Sequence, residues 1–349
     1  MLIAIILSAA IPKVTVLPFW VRAISGDGKT VIGTTHFVEG KKREGVTWTK
    51  ASGIRKLLCP TDSKEVEPTG ISDDGRIIVG FAWRPKDYEV LVWRMGEKPN
   101  VIGITQGIDH APMISGDGTC VFFTKEEYGG KGDQYHYSSR TARWRPGQGL
   151  ELSDNYVMAI SRDGKCQVGL VRHPELVPPR TGIGTGIRKI DNKGTVATRW
   201  EDGEPTVTLG IIEPAWATLA SACSADGKII GGWASTEPGD RPLLWSQSKG
   251  IRFLPLPNGA KSVEVYHISG DGHFVFGEQQ TGSGEIPLIW IDERGPFTLI
   301  DEARRRGLPK SANWSPENIM GTSSDGRSLV GYSNSNHSGE EPSCWLLNW

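Results

Sequence analysis

Charge of one sign is missing from this sequence: 39 basic residues stand against 40 acidic ones, a formal net charge of -1 at pH 7. Without a global field there is no long-range pull toward a nucleic-acid backbone or an anionic membrane, so partners must be recognised locally. Cysteine is sparse. Its five residues, Cys59, Cys120, Cys166, Cys223 and Cys344, are odd in number and contain no CxxC pair, which argues against a disulfide framework or a metal site. Long apolar runs are lacking as well. After residues 1–10 (MLIAIILSAA) no stretch approaches the roughly 18 apolar residues of a membrane span. The leading segment has the apolar run and small residues of an export signal but no basic start, and reads alternatively as a first strand or a leader.

What is abundant is turn-forming and aromatic. The 349 residues include 44 Gly, 22 Pro and 13 Trp with only 23% charged residues, a composition suited to many short strands joined by tight turns. An internal repeat organises them. It reads AISGDGKTVIG from Ala23, GISDDGRIIVG from Gly70, MISGDGTCVFF from Met113, AISRDGKCQVG from Ala159, ACSADGKIIGG from Ala222, HISGDGHFVFG from His267 and GTSSDGRSLVG from Gly321. The serines fall at 25, 72, 115, 161, 224, 269 and 323, and a glycine follows eight residues later in six of the seven, Phe123 being the exception. Each unit then carries a tryptophan: Trp48, Trp93, Trp144, Trp200, Trp245, Trp290 and Trp345. After most of these come a turn and another apolar strand, as in WTKASGIRKLL and WSQSKGIRFLP.

Each part of the unit has a physical reason. Asp-Gly closes a tight hairpin because Gly accepts positive φ, while Ser and Asp side chains satisfy turn amides. The apolar residues before the Ser and six beyond it are expected in strands buried between sheets, and the tryptophans as core wedges. The basic residue after Gly (Lys29, Arg76, Lys165, Lys228, His273, Arg327) reads as a solvated tip. Cys120 and Cys166 share one repeat position and, with Cys223, read as small core filler.

Seven units of four strands predict an all-β fold, a seven-bladed β-propeller over residues 11–349 with antiparallel blades. The seventh unit ends at CWLLNW before its outer strand, whereas PKVTVLPF precedes the first unit and matches an outer-strand segment. The N-terminal strand is therefore expected to join the last blade and close the ring, which removes exposed edges.

The combination of AISxDGxxVVG with a following WTxxxG and a leucine-rich strand resembles the HAF family of extracellular repeats, found mainly in bacterial proteins. The resemblance covers nearly the whole chain, including the helix-like IDEARRRGLPKSANW before the last unit. The His-Ala-Phe triplet that names the family is replaced here by PLLW and IPLIW. The resemblance implies secretion, or a surface or periplasmic location, and transfers no catalytic residue. The sialidase Asp-box differs, since a residue separates its Asp and Gly. The SPDGKxIAF repeats of translocation-associated propellers lack the tryptophan half and favour a Pro found in none of these copies.

Function has to be argued from positions, because propellers serve many chemistries. The SxDG face is uniform and reads as structural. All variation in length falls on the opposite face: residues 124–142, 170–199 and 300–318. Two of these loops offer Tyr128, Tyr135, His136, Tyr137 and Arg140, and Arg172, His173, Arg180, Arg188 and Lys189, an aromatic and basic set suited to a sugar ring or an acidic group. GIGTG at 182–186 lacks the spacing and setting of a nucleotide loop. A second candidate is the channel mouth, where the fifth residue before each serine is Trp20, Glu67, His110, Tyr156, Leu219, Glu264 or Asn318. Among these, Glu67, His110 and Glu264 are of the types that coordinate cations or transfer protons. The expectation is a secreted or surface-exposed monomer that binds a protein or carbohydrate, not nucleic acid, without cofactor or metal. A carbohydrate hydrolase or lyase acting at the mouth is the alternative.

Overall fold

A computed structural model of the chain describes residues 11–36, 42–60, 65–129, 136–172, 194–333 and 343–349. The strand β1 (Lys13–Leu17) precedes blade one, which comprises β2 (Trp20–Ile24), β3 (Thr30–Thr34), β4 (Gly45–Thr49) and β5 (Gly53–Lys56). Blade two is β6 (Val66–Ile71), β7 (Ile77–Trp83), β8 (Tyr88–Arg94) and β9 (Asn100–Thr105). Blade three is β10 (Met113–Ile114), β11 (Val121–Gly129), β12 (His136–Arg145) and β13 (Gly149–Ser153). Blade four is β14 (Tyr156–Ile160), β15 (Cys166–Arg172), β16 (Thr195–Glu201) and β17 (Val207–Thr208). Blade five is β18 (Ala217–Cys223), β19 (Ile229–Ser235), β20 (Asp240–Ser246) and β21 (Gly250–Phe253). Blade six is β22 (Ser262–Ile268), β23 (Phe274–Thr281), β24 (Gly284–Ile291) and β25 (Arg294–Thr298), followed by the helix α1 (Leu299–Arg305). Blade seven is β26 (Asn318–Thr322), β27 (Ser328–Ser333) and β28 (Ser343–Asn348), with β1 as its outer strand. The closure expected from the sequence is thus present, with Lys13 opposite Asn348, Val16 opposite Trp345 and Leu17 opposite Cys344.

The repeat motif builds the turn from the innermost strand to the second. Ser25 Oγ donates to Asp27 Oδ1 (2.6 Å) and accepts the Thr30 amide (3.0 Å), while Asp27 Oδ1 accepts the Lys29 amide (3.0 Å). The same three bonds recur in every blade, from Ser72 and Asp74 to Ser323 and Asp325. All seven serines are buried, so their hydroxyls need these partners.

The glycine eight residues after the serine serves a different end. In six blades the innermost strand carries a bulge, at Arg22, Thr69, Met158, Ser221, Tyr266 and Met320. The bulge folds the carbonyl of the mouth residue over the second strand. A Cβ on Gly33 would lie 1.8 Å from Trp20 O, and one on Gly331 would lie 1.9 Å from Asn318 O. Phe123 occupies this position in blade three. There the innermost strand is cut to two residues, without a bulge, and His110 falls outside it. Gly103 on blade two leaves room for the phenylalanine, since its own Cβ would meet the ring at 2.6 Å.

The core is divided among the interfaces between blades. Ile32 of blade one packs with Ile78, Leu91 and Trp93 of blade two, and Val79 and Val92 of blade two pack with Val121 and Phe123 of blade three. The ring closes on Leu17, Val330 and Leu346 against Val21, Val31 and Val46. Trp93, Trp290 and Trp345 are fully buried wedges, and Trp200 is buried. Trp48, Trp144 and Trp245 are only partly buried. Of the cysteines, none in a disulfide, Cys120, Cys166 and Cys344 are buried, Cys223 is half-buried and Cys59 is exposed.

Candidate functional site

The two ends of the channel differ. At the SxDG end the seven turns are linked edge to edge by backbone bonds: Asp27 N to Asp73 O, Asp73 N to Gly116 O, Asp117 N to Arg162 O, Arg162 N to Ala225 O, Ala225 N to Gly270 O, Gly270 N to Ser324 O and Ser324 N to Gly26 O, at 2.7–2.9 Å. The circuit is complete. Inside it Arg162 Nε meets Asp73 Oδ2 at 2.6 Å, and Ser324 Oγ donates to Asp73 Oδ1 at 3.1 Å. Blades two, four and seven are not neighbours, so these bonds span the channel. They sit where Gly26 and Gly116 leave space, since a Cβ on Gly26 would lie 2.1 Å from Asp73 Oδ1. What is left at this end is a depression of about 200 Å³. The tips beyond it are solvated, with Lys29, Arg76, Lys165 and Lys228 in exposed pairs with their own turn aspartates.

At the opposite end stand the mouth residues. Glu67 on β6 is buried and pairs with Arg22 Nη2 of the blade-one bulge at 2.5 Å. Glu264 on β22 accepts the hydroxyl of Tyr266, its own blade's bulge residue. Burial, partly offset by that hydroxyl, raises the Glu264 carboxyl above its ordinary range. Trp20 packs edge-on to Tyr332, and Leu219 is buried. His110 lies 2.5 Å through Nε2 from the Tyr156 hydroxyl, which is 3.2 Å from Asp109 Oδ2. Burial favours the neutral His110 ring and holds its pKa below the ordinary value, against the opposing pull of the Asp109 charge. The ring position alone did not reveal these partners, because Arg22 and Tyr266 are bulge residues two places further along. Glu67, His110 and Glu264 do not meet, and among the described residues no three His, Cys, Asp or Glu side chains form a metal-binding group.

Asn318 marks a further cluster that the reading of the innermost strands missed. Its Nδ2 donates to Glu278 Oε2 and to Glu285 Oε2, both at 3.0 Å, and the Ile319 amide donates to Glu278 Oε1 at 2.9 Å. Burial, together with Glu285 and Glu264, pushes the Glu278 carboxyl up to about 8, although the Ile319 amide favours its charged form. Glu278 and Glu285 lie on the second and third strands of blade six, which carry no distinguishing motif.

Parts of the long segments are regular structure. Residues 124–129 and 136–142 are strand, because β11 and β12 continue their ladder to Gly129 opposite His136. Tyr128 and Tyr137 are directly paired there, and Lys125 faces Arg140. The Tyr128 hydroxyl donates to the buried Glu126 at 2.6 Å. Arg172 closes β15. Tyr135, His173, Arg180, Arg188 and Lys189 lie outside the described residues, so the aromatic and basic set is placed only in part.

Residues 300–318 hold α1 and a loop that folds back onto blade six. Leu299, Ala303, Leu308 and Trp314 enter the core with Phe276, Ile289 and Trp345. Between this segment and the β23–β24 hairpin runs a groove of about 710 Å³, reaching Glu285 and Glu317. Asn318 ties that groove to the mouth through Glu285.

No family model matches the chain, and no curated protein sequence matches it. Its shape is similar to several solved structures. The β-propeller domain of the Trilobed protease from Pyrococcus furiosus aligns with a TM-score of 0.62 at 14% identity, covering 94% of each chain. The acylaminoacyl peptidase from Pyrococcus horikoshii gives 0.62 at 14% identity over 96% of this chain, which spans only 51% of the peptidase. Oligogalacturonate lyase from Vibrio parahaemolyticus gives 0.60 at 11% identity, covering 96% of this chain and 91% of the lyase. Identities this low extend to architecture alone, and on that the sheets and the neighbours agree: the chain is a seven-bladed β-propeller.

Proposed function

We propose that the protein is a secreted or surface-exposed, non-catalytic recognition propeller that takes a protein or glycan on the face holding the channel mouth and the second-to-third hairpins. The asymmetry of the channel carries this reading. One end is crossed by Asp73, Arg162 and Ser324 within a closed ring of turns, whereas the other presents half-buried polar side chains and a groove of small-ligand size. The HAF-type repeat pattern supports the location. Among the described residues no helix is long and apolar enough to cross a membrane.

Labelled protein on a glycan array and against separated host-envelope proteins tests it. A quintuple alanine variant at Lys29, Arg76, Lys165, Lys228 and Arg327 is expected to retain every captured ligand, since exposed tip residues change stability by within about 0.5 kcal/mol. Alanine at Tyr128, Tyr137, Arg140 and Arg172 is expected to weaken capture at least tenfold, because aromatic and arginine side chains dominate interface energies. Loss confined to the tip variant refutes the assignment of the face.

A second reading, a carbohydrate hydrolase or lyase, is favoured by one observation: the neutral His110 imidazole against the Tyr156 hydroxyl is a proton-transfer pair at the mouth. Release of new reducing ends from a captured glycan, abolished in Tyr156→Phe, would replace the binding reading with this one.

A further inference from the structure

We infer that the groove between the α1 segment and the β23–β24 hairpin is a binding site for a short acidic saccharide, one bearing hexuronate carboxylates. The inference rests on the loop-bearing face being the binding face, and names a ligand class for one part of it. Its first support is that both walls are fixed. On one side α1 is pinned by Leu299 and Ala303, both fully buried, and by Glu302, whose buried carboxylate is held by Arg305 (2.6 and 2.7 Å) and Arg306 (2.7 Å). On the other side the β23–β24 hairpin is tied by Thr281 Oγ1 to Gly284 O at 2.6 Å and by Gln280 Nε2 to Glu285 Oε1 at 3.2 Å. A preformed cleft loses little on binding to the cost of ordering its own side chains.

The second support is the charge left over. Glu302 takes up Arg305 and Arg306, but Arg304 and Lys310, which line the groove, have no carboxylate partner among the described residues. Two unpaired cations on one wall suit a carboxylate, and guanidinium can meet it through two parallel hydrogen bonds. Around them the lining is hydroxyl and amide, including Ser283, Ser311 and Asn313, which match the hydroxyls of a sugar ring. Glu285, which already accepts from Gln280 and Asn318, and Glu317 also line the groove, so the ligand would meet them with hydroxyls and keep its carboxylates toward Arg304 and Lys310. A peptide fits less well. Peptides commonly add a strand to a free sheet edge, and these walls are a hairpin tip and a loop.

Titration calorimetry of the full chain decides the matter with two matched sugars, a 1,4-linked glucuronate trisaccharide and its neutral glucose counterpart. The acidic sugar is expected to bind at least tenfold more tightly, and Arg304→Ala with Lys310→Ala to remove that advantage with an unchanged melting temperature. Equal binding of the two sugars, no binding of either, or an unaffected double variant overturns the inference. If His110→Ala or Tyr156→Phe weakens binding while the double variant does not, the loop-bearing face stands as the binding face and the groove assignment alone fails.

Discussion

Gly227 sits in the blade-five turn at φ +67°, and a Cβ there would fall 2.6 Å from Cys166 Cβ in blade four. The same approach recurs around the ring: Gly75 abuts Thr30, Gly164 abuts Cys120 and Gly28 abuts Ser328. The glycine of the Asp-Gly pair is thus fixed by its hairpin and by the neighbouring blade together. Gly250 provides the comparison, with φ +65° and nothing within 4 Å of a Cβ. Gly227→Ala is expected to cost about 2–5 kcal/mol, combining left-handed strain with overpacking. Gly250→Ala should cost about 1–2 kcal/mol, from the backbone alone. Urea unfolding midpoints compare them, and equal losses would refute the role of the interface. The small Cys120 and Cys166 side chains answer to the same contact. Burial pushes both thiols up to about 11, so they stay protonated and serve as packing groups.

Among elements, the junction of blades six and seven is set apart by the Glu278 carboxyl, faced by Glu285, Glu264, Tyr266, Tyr332 and the donors of Asn318 and Ile319. Its pKa is raised to about 8 from an ordinary 4.5, so the folded state holds a proton that the unfolded chain releases earlier. The stability it contributes is full below pH 4.5 and is lost as the pH rises through 8. Glu278→Gln, which keeps an acceptor for the Ile319 amide, is expected to remove this slope and to be the more stable form at pH 9. Denaturant midpoints at pH 5, 7 and 9 check it, and parallel curves for the two proteins would refute it. Five of the turn aspartates act with the opposite sign. Burial pushes the carboxyls of Asp27, Asp163, Asp226 and Asp271 up, but hydrogen bonds from the turn serine and amide outweigh it, and for Asp74 the Arg76 amide leads. All five end below 3.8, and their contribution is lost as pH falls through that range.

The elements also explain which features could be read ahead. The turns and the count of blades were legible because they depend on a local pattern repeated seven times, and the closing strand because PKVTVLPF matches an outer-strand segment. The exception at Phe123 was visible, but its effect was not, since nothing in a linear repeat says that the glycine there makes room for a carbonyl. The mouth positions were legible and their partners were not. Arg22 reaches Glu67 across a blade boundary, and Glu278 meets Asn318 over 40 residues of chain. Such pairings are set by the ring geometry, which no single repeat contains.

For the whole molecule, all seven backbone bonds at the SxDG end run in one rotational sense, so each turn is both donor and acceptor and none is terminal. Hydrogen bonds in series polarise one another, which makes the ring a cooperative girdle. β1 and β28 come from segments far apart in sequence, yet with Lys13 opposite Asn348 they pair like the two arms of a hairpin. Supplying Asn-Gly between Trp349 and Pro12 would complete it, that pair being the favoured two-residue connection. The order of the blades is then cyclic, and a new start can be cut wherever the backbone is exposed and unpaired. A circular permutant opened between Asn258 and Gly259, both exposed, is expected to give the parent's circular dichroism spectrum and a melting temperature within a few degrees. Opened between Asp226 and Gly227, within the girdle, the same permutant should melt well below it. The seven blades are in that sense positions on a circle, on which β28 and β1 are neighbours.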